Sequence, residues 1–228
     1  MELKSTLENK AAFDNFYEVK SRLKYPNLIF IHYFMRYIKH EKSIKNALSI
    51  GCGDGANEFA VAREGIRVKC IDISELAVKR VNNWAREEAL DVTAELGNQA
   101  DLSSFKDQSF DFVICWQVLS YGTSEVCQKA LDEIYRVLRK GGYLIATLES
   151  KFHTGYTQNG VTKIGENTYR LPNEVKVLVP NVVASFYSED DVRNMTKKFS
   201  ELYLALEILH PPNNLDQKVG QWMFLCRK

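Results

Sequence analysis

From Ile44 onward, short apolar runs alternate with longer segments in which apolar residues return every three or four positions. Residues 46–50 read as a strand that ends in glycines, 56–64 as a helix closed by Gly65, and 67–71 as a second strand. Ser74 is placed to cap a helix with Ala77, Val78, Val81 and Ala85 on one face. Residues 94–96 suggest a brief third strand, and 110–115, β-branched and aromatic, a fourth. Thr123 or Ser124 then caps a helix whose Val126, Ala130, Ile134, Val137 and Leu138 face inward. Arg139-Lys140-Gly141-Gly142 is predicted to end it, before a fifth strand over 143–148. Strands that alternate with helices predict a parallel sheet covered on both faces.

The flanks differ. Residues 5–42 read as helical, with Pro26 in a first helical turn and Leu28, Ile31, Met35 and Ile38 at helical spacing. After Glu149, residues 151–181 carry glycines, prolines and polar residues, a stretch too long for an ordinary connection and therefore a candidate lid. Ser188 caps a predicted helix over 188–199, and strands follow at 202–209 and 222–226. A single domain results: a helical cap (1–42), a core (43–150), a candidate lid or insertion (151–184) and the remainder of the sheet (185–228).

Composition narrows the class. The 228 residues are 45% hydrophobic and 26% charged, with a net charge of +1. No run approaches the roughly 18 apolar residues of a membrane helix, and the N-terminus lacks the pattern of a secretory signal. Five widely spaced cysteines (Cys52, Cys70, Cys115, Cys127, Cys226) include no Cys-x-x-Cys pair. They point to a reduced, cytoplasmic protein without disulfides or a zinc knuckle. The basic stretches, 136–140 and 197–198, fall near predicted helix C-termini, where they offset the helix dipole. Neither a nucleic-acid nor a membrane partner is therefore expected.

Chemistry concentrates after the first strand. In Gly51-Cys52-Gly53-Asp54-Gly55, residues without a β-carbon permit positive φ and let backbone approach a ligand. The extra carboxylate, Asp54, would repel a pyrophosphate but is tolerable next to a ligand that carries ammonium and sulfonium charges. Asp72 stands at the tip of the second strand, 21 residues after Gly51. An acidic residue at that spacing accepts hydrogen bonds from a ribose hydroxyl pair.

Leu48-Ser49-Ile50-Gly51-Cys52-Gly53-Asp54-Gly55 and Ile71-Asp72-Ile73-Ser74 resemble the first two cofactor motifs of class I S-adenosylmethionine methyltransferases. Ser109-Phe110-Asp111-Phe112-Val113 with Val118-Leu119 is similar to that family's fourth-strand motif, and residues 130–144 to its helix-and-fifth-strand motif. Residues 186–191 and 222–228 look like the small-molecule branch, which includes ubiquinone-biosynthesis and tellurite-resistance types. The resemblance implies a Rossmann-like, doubly wound α/β sheet of seven strands, mostly parallel with the last antiparallel. It also implies an S-adenosylmethionine site without a metal, S-adenosylhomocysteine as product, and a small-molecule acceptor methylated on oxygen or nitrogen. Gly51, Cys52 and Gly53 would meet the methionine moiety through their backbone, Asp72 the ribose, and Ile73 the adenine face. Asn98 and Gln99 align with the pair that reads the adenine edge, with Asp101 as the alternative. Cys115, Trp116 and Gln117 would border the methionine amine and the sulfonium.

One departure stands out: Ser49 occupies a position that most members fill with an acidic residue, and Asp54 is its expected partial substitute. Methyl transfer from a sulfonium is an in-line displacement, so alignment matters most and a base is added only where the acceptor needs one. Tyr121 and His153 are the candidate catalytic residues, with Tyr156, Phe16 and Tyr17 behind them. No Asp/Glu/His cluster stands at metal spacing. The Pro-Pro pair of His210-Pro211-Pro212-Asn213 lies in the wrong place for a DNA amino-methylase tetrad, and the glycine spacing disfavours an NAD dehydrogenase. The alternatives are a methyltransferase acting on protein or RNA and a non-catalytic S-adenosylmethionine-binding module.

Overall fold

The computed structural model describes residues 2–19, 24–174 and 179–228, with the backbone alone at 2–8, 201 and 202. Five strands run parallel: β1 (Asn46–Ile50), β2 (Arg67–Asp72), β3 (Val92–Leu96), β4 (Phe110–Cys115) and β5 (Leu138–Glu149). After three strands of a separate small sheet, β6 (Thr162–Gly165), β7 (Thr168–Arg170) and β8 (Val183–Ser185), the main sheet is completed by β9 (Glu201–Leu209) and β10 (Val219–Arg227). The order is β3-β2-β1-β4-β5-β10-β9, with β10 antiparallel to both neighbours. The expected seven-stranded, doubly wound sheet is observed.

Each central strand buries both faces, because successive side chains point to opposite sides. Ala47, Phe112 and Ile114 pack with Phe30, Phe59 and Trp84 on one face. Leu48, Val113 and Cys115 pack with Ala130, Leu131 and Ile134 on the other. The first layer comes from α2 (Leu28–Tyr33), α3 (Ala56–Ala62) and α4 (Glu75–Glu88), the second from α5 (Ser124–Val137) and α6 (Glu189–Met195). Caps follow the sequence signals. The Ser74 hydroxyl accepts from the Ala77 N–H, Thr123 from Val126, and Ser188 with Asp191 forms a reciprocal capping box.

The N-terminal helix is not continuous. α1 (Glu2–Val19) stops well before α2, which leads into a π-helical turn over Phe34–Ile38. Pro26 lies outside the helix and Asn27 is the cap, its side chain accepting from the Ile29 and Phe30 N–H groups. Proline disfavours helical backbone at the preceding residue, so the chain breaks there.

The end of α5 also differs from expectation. Leu138 already has extended backbone, and residues 138–140 belong to β5. Register shifts from Phe110 opposite Leu138 to Phe112 opposite Tyr143. Gly141, at φ +78°, makes the bulge, and its N–H donates to the Lys228 carbonyl. The Lys228 ammonium donates to the Tyr135 and Leu138 carbonyls, so the helix end is satisfied from the far end of the chain. α6 likewise ends at Met195, short of the predicted 199.

The segment after β5 folds into a three-stranded antiparallel sheet: β6 (Thr162–Gly165), β7 (Thr168–Arg170) and β8 (Val183–Ser185). Leu171, Val182, Ala184 and Phe186 pack against Phe13 and Phe16 of α1. The buried Asn9 amide donates to the Val183 carbonyl at 3.1 Å and accepts from its N–H at 2.9 Å, pairing the edge of β8. The basic stretches are used internally: Arg136 pairs with Glu133 and Asp107, Arg139 with Asp111, and Lys198 with Asp132. Among the described residues no helix is long and apolar enough to cross a membrane.

Candidate active site

A cavity of about 610 Å³ opens where the strand order reverses, at the carboxyl ends of β1 and β4. Ligands of open α/β sheets bind in that crevice, and the volume suits a small-molecule site. The walls come from the turn after β1, the tips of β2 and β4, the end of β5 and the inner face of α1.

Gly51 has φ +69°, and a β-carbon there would collide with the Val118 side chain. Gly53 has φ +52°, and a β-carbon would lie 2.8 Å from the Tyr17 hydroxyl. Both positions require glycine for conformation and for space. The N–H groups of Gly51 and Cys52 donate to the Ile71 carbonyl, that of Gly53 to Asp72 Oδ2 at 2.8 Å, and that of Gly55 to the Cys52 carbonyl. The Gly51, Cys52, Gly53 and Gly55 amides are thus satisfied internally, unlike the open N–H cradle that holds a pyrophosphate. Asp72 is buried; its other oxygen accepts from the Ser74 N–H at 2.9 Å, and burial raises its pKa. Asp54 pairs with Arg80 at 3.1 Å, and Arg80 also donates to the Tyr17 carbonyl, tying α1 over the turn.

The Ser49 hydroxyl donates to Glu58 Oε1 at 2.7 Å, and Glu58 lines the cavity from the first turn of α3. Burial pushes the Glu58 carboxyl up to about 7, against the Ser49 hydrogen bond. A carboxyl thus stands within hydrogen-bond reach of the Ser49 position, carried by the helix, and Asp54 also lines the cavity. The sequence points to Asp54 alone, because a buried glutamate beside apolar residues looks like any helical glutamate.

Ile73, Asn98 and Gln99 line the cavity. Asn98 Oδ1 accepts from the Ala100 N–H, and the Gln99 amide donates to the Tyr121 carbonyl at 2.8 Å. Gln99 Oε1 is buried without a hydrogen-bond partner. Asp101 is exposed, accepts from the Ser103 N–H and is not part of the wall. Trp116, Gln117 and Val118 reach the cavity, and Trp116 sits edge-on to Phe30. The Cys115 side chain does not: strand alternation turns it into the core beneath α5.

On the other side stand Phe13, Phe16, Tyr17, Tyr121 and Val179. Tyr121 is held edge-on by Phe13, centroids 4.9 Å apart, and burial raises its hydroxyl pKa with help from the charge of Glu149. His153 is buried behind the wall rather than in it, its Nδ1 accepting from the Gly155 N–H and its Nε2 3.8 Å from Glu149 Oε2. Tyr156 packs at a tilt against Tyr169 and Phe186, outside the cavity. Glu149, at the end of β5, is the wall residue that sequence reading missed. Ending an apolar strand, it carries no signal of its own. Among the described residues no group of His, Cys, Asp and Glu is placed to hold a metal.

Residues 48–146 match the family described as "Methyltransferase domain". The chain is 25% identical over 177 residues to phosphoethanolamine N-methyltransferase 2 of Caenorhabditis elegans, covering 77% of this chain and 39% of that protein. It is 24% identical over 121 residues to a ubiquinone biosynthesis O-methyltransferase of Coxiella burnetii, covering 52% and 50%. The chain spans half or less of the length of these curated relatives. Its fold is similar to that of the 1,6-didemethyltoxoflavin-N1-methyltransferase of Burkholderia thailandensis, with a TM-score of 0.67, 12% identity, and 100% of this chain and 90% of that one covered. The domain match spans the glycine turn, Asp72 and the fourth- and fifth-strand motifs, and over that stretch the chain is similar to methyltransferases.

Proposed function

We propose that this protein transfers a methyl group from S-adenosylmethionine to an oxygen or nitrogen of a small-molecule acceptor. The observation that carries the reading is the continuity of one cavity, from the glycine turn and Asp72 at one end to Tyr121 and Glu149 at the other. The donor end suits the cofactor: the Gly51, Cys52, Gly53 and Gly55 amides are already paired, and Asp54, Glu58 and Asp72 favour a cation over a pyrophosphate.

When bound, the cofactor supplies an electrophilic methyl on a sulfonium. In this reading Asp72 accepts from the ribose hydroxyls, and Ile73, Asn98 and Gln99 hold the adenine. Gly51 and Gly53 give the methionine portion room against the backbone, and Trp116 borders it. Residues 179–184, docked on α1 through Asn9 and the Phe13–Phe16 cluster, close the acceptor side, with Val179 in the cavity wall. Five buried free thiols suit a reducing, cytoplasmic setting.

The test is calorimetry with S-adenosylmethionine and S-adenosylhomocysteine, followed by labelled-methyl transfer to a cell extract separated into small molecules, protein and RNA. Micromolar binding with label in the small-molecule fraction is expected. Label confined to protein or RNA would reassign the acceptor, and absence of binding would overturn the reading.

A further inference from the structure

Among the described residues that line the cavity, the charged groups are Asp54, Glu58, Asp72 and Glu149, with no lysine, arginine or histidine. Three of these carboxyls have partners at the donor end: Arg80, Ser49, and the Gly53 and Ser74 amides. Glu149 differs. Its Oε2 is buried without a hydrogen-bond partner, and so is Nε2 of His153, 3.8 Å away. Because His153 Nδ1 accepts from the Gly155 N–H at 2.7 Å, the proton of the neutral ring resides on Nε2, on the side of the carboxyl. Burial lowers the His153 pKa to about 4, so the ring stays neutral, and pushes Glu149 up to about 8. The titratable groups that face Glu149 are His153, from the turn after β5, and Tyr121, from the loop after β4.

A carboxyl buried without a cation is costly, and a ligand that brings the cation offsets that cost. Aromatic rings beside it, here Tyr121, Phe13 and Phe16, add attraction for a cation. Among the described residues, an anionic acceptor would instead meet only acidic groups. Resting on the methyl-transfer reading above, we propose that the acceptor is a small amine bound as its ammonium, paired with Glu149, which takes its proton, while His153 positions the carboxylate. The N–H bond breaks and its proton passes to the Glu149 carboxylate. The freed lone pair forms the N–C bond as the C–S bond breaks, its electron pair remaining on sulfur. The products are the methylated amine and S-adenosylhomocysteine, and Glu149 returns the proton to solvent.

The test needs no identified substrate. Protein saturated with S-adenosylhomocysteine is titrated by calorimetry with benzylamine, benzyl alcohol and benzoate, in two buffers of different ionisation enthalpy at pH 7. Benzylamine is expected to bind at least tenfold tighter than benzyl alcohol, with benzoate undetectable and a proton released as the ammonium binds. Glu149→Gln should abolish both the preference and the proton release without changing S-adenosylhomocysteine affinity. His153→Ala should shrink the preference and move the pH at which the proton is released, a readout that loss of packing alone would not shift. Equal binding of amine and alcohol, or a preference that survives Glu149→Gln, overturns the proposal. Should Glu149→Gln fail to fold, proton release by the unmodified protein decides, and its absence overturns the proposal. Failure of S-adenosylhomocysteine itself to bind would instead overturn the cofactor reading on which this rests.

Discussion

The hydroxyl of Ser49 on β1 donates a 2.7 Å hydrogen bond to Glu58 on α3, so a strand position that usually carries an acid borrows one from the neighbouring helix. The carboxyl stays beside the glycine turn, carried by α3 rather than by the strand. Glu58→Ala should weaken S-adenosylhomocysteine binding about tenfold, the worth of one charge-assisted contact. Ser49→Ala should have a smaller effect, because it leaves the carboxyl in place. Calorimetry separates the two; an unchanged affinity in Glu58→Ala would remove the residue from the cofactor site.

The two buried glutamates give stability a pH dependence. Glu58 is raised to about 7 and Glu149 to about 8, from an ordinary value of 4.5. The folded chain therefore keeps two protons that the unfolded chain releases, and stability falls as pH rises from about 4.5 through 8. Glu58→Gln and Glu149→Gln should each flatten that slope. Relative to the unmodified protein each should gain up to roughly 3–5 kcal/mol at pH 8 and little at pH 5. Urea denaturation at the two pH values measures it, and parallel slopes would contradict the burial argument.

Asp72 has two tasks that one substitution should reveal together. Its oxygens hold the Gly53 and Ser74 amides, so Asp72→Ala leaves two buried donors unpaired. A loss of about 1–3 kcal/mol in stability is expected, together with at least a tenfold loss of S-adenosylhomocysteine affinity. Denaturant melts and calorimetry on the same sample check both. Full affinity in a destabilised variant would leave Asp72 a purely structural residue.

Asn9 should govern how firmly α1 is held on the insertion. Asn9→Ala removes both hydrogen bonds to the Val183 backbone and exposes the edge of β8. Limited proteolysis should then cleave within residues 1–19 several-fold faster, while the 46–149 core resists as before. Unaltered cleavage would show that the aromatic cluster alone secures the helix.

Much of the fold was legible in the sequence because it rests on local pattern. Apolar periodicity outlined β1 to β5 and α3 to α5, Ser74, Thr123 and Ser188 announced their helix starts, and the glycine turn with Asp72 marked one end of the cavity. Where local pattern misled, a distant partner had decided the matter. Arg139 to Gly142 looked like a helix stop, but the last residue of the chain draws them into β5. Cys115 looked like a site residue, but the two-residue period of its strand turned it into the core.

The sequence by itself determined the end of the cavity at the glycine turn, since the turn, the carboxylate at the tip of β2 and their spacing are features of one short stretch of chain. Only the tertiary structure decided the opposite end. Asn9 meets Val183 across 174 positions, Phe13 meets Tyr121, and Glu149 gains its neighbour His153 through the turn after β5. Contacts of that kind leave no period in the sequence, because they follow from how packed layers meet rather than from the order of residues along any one of them.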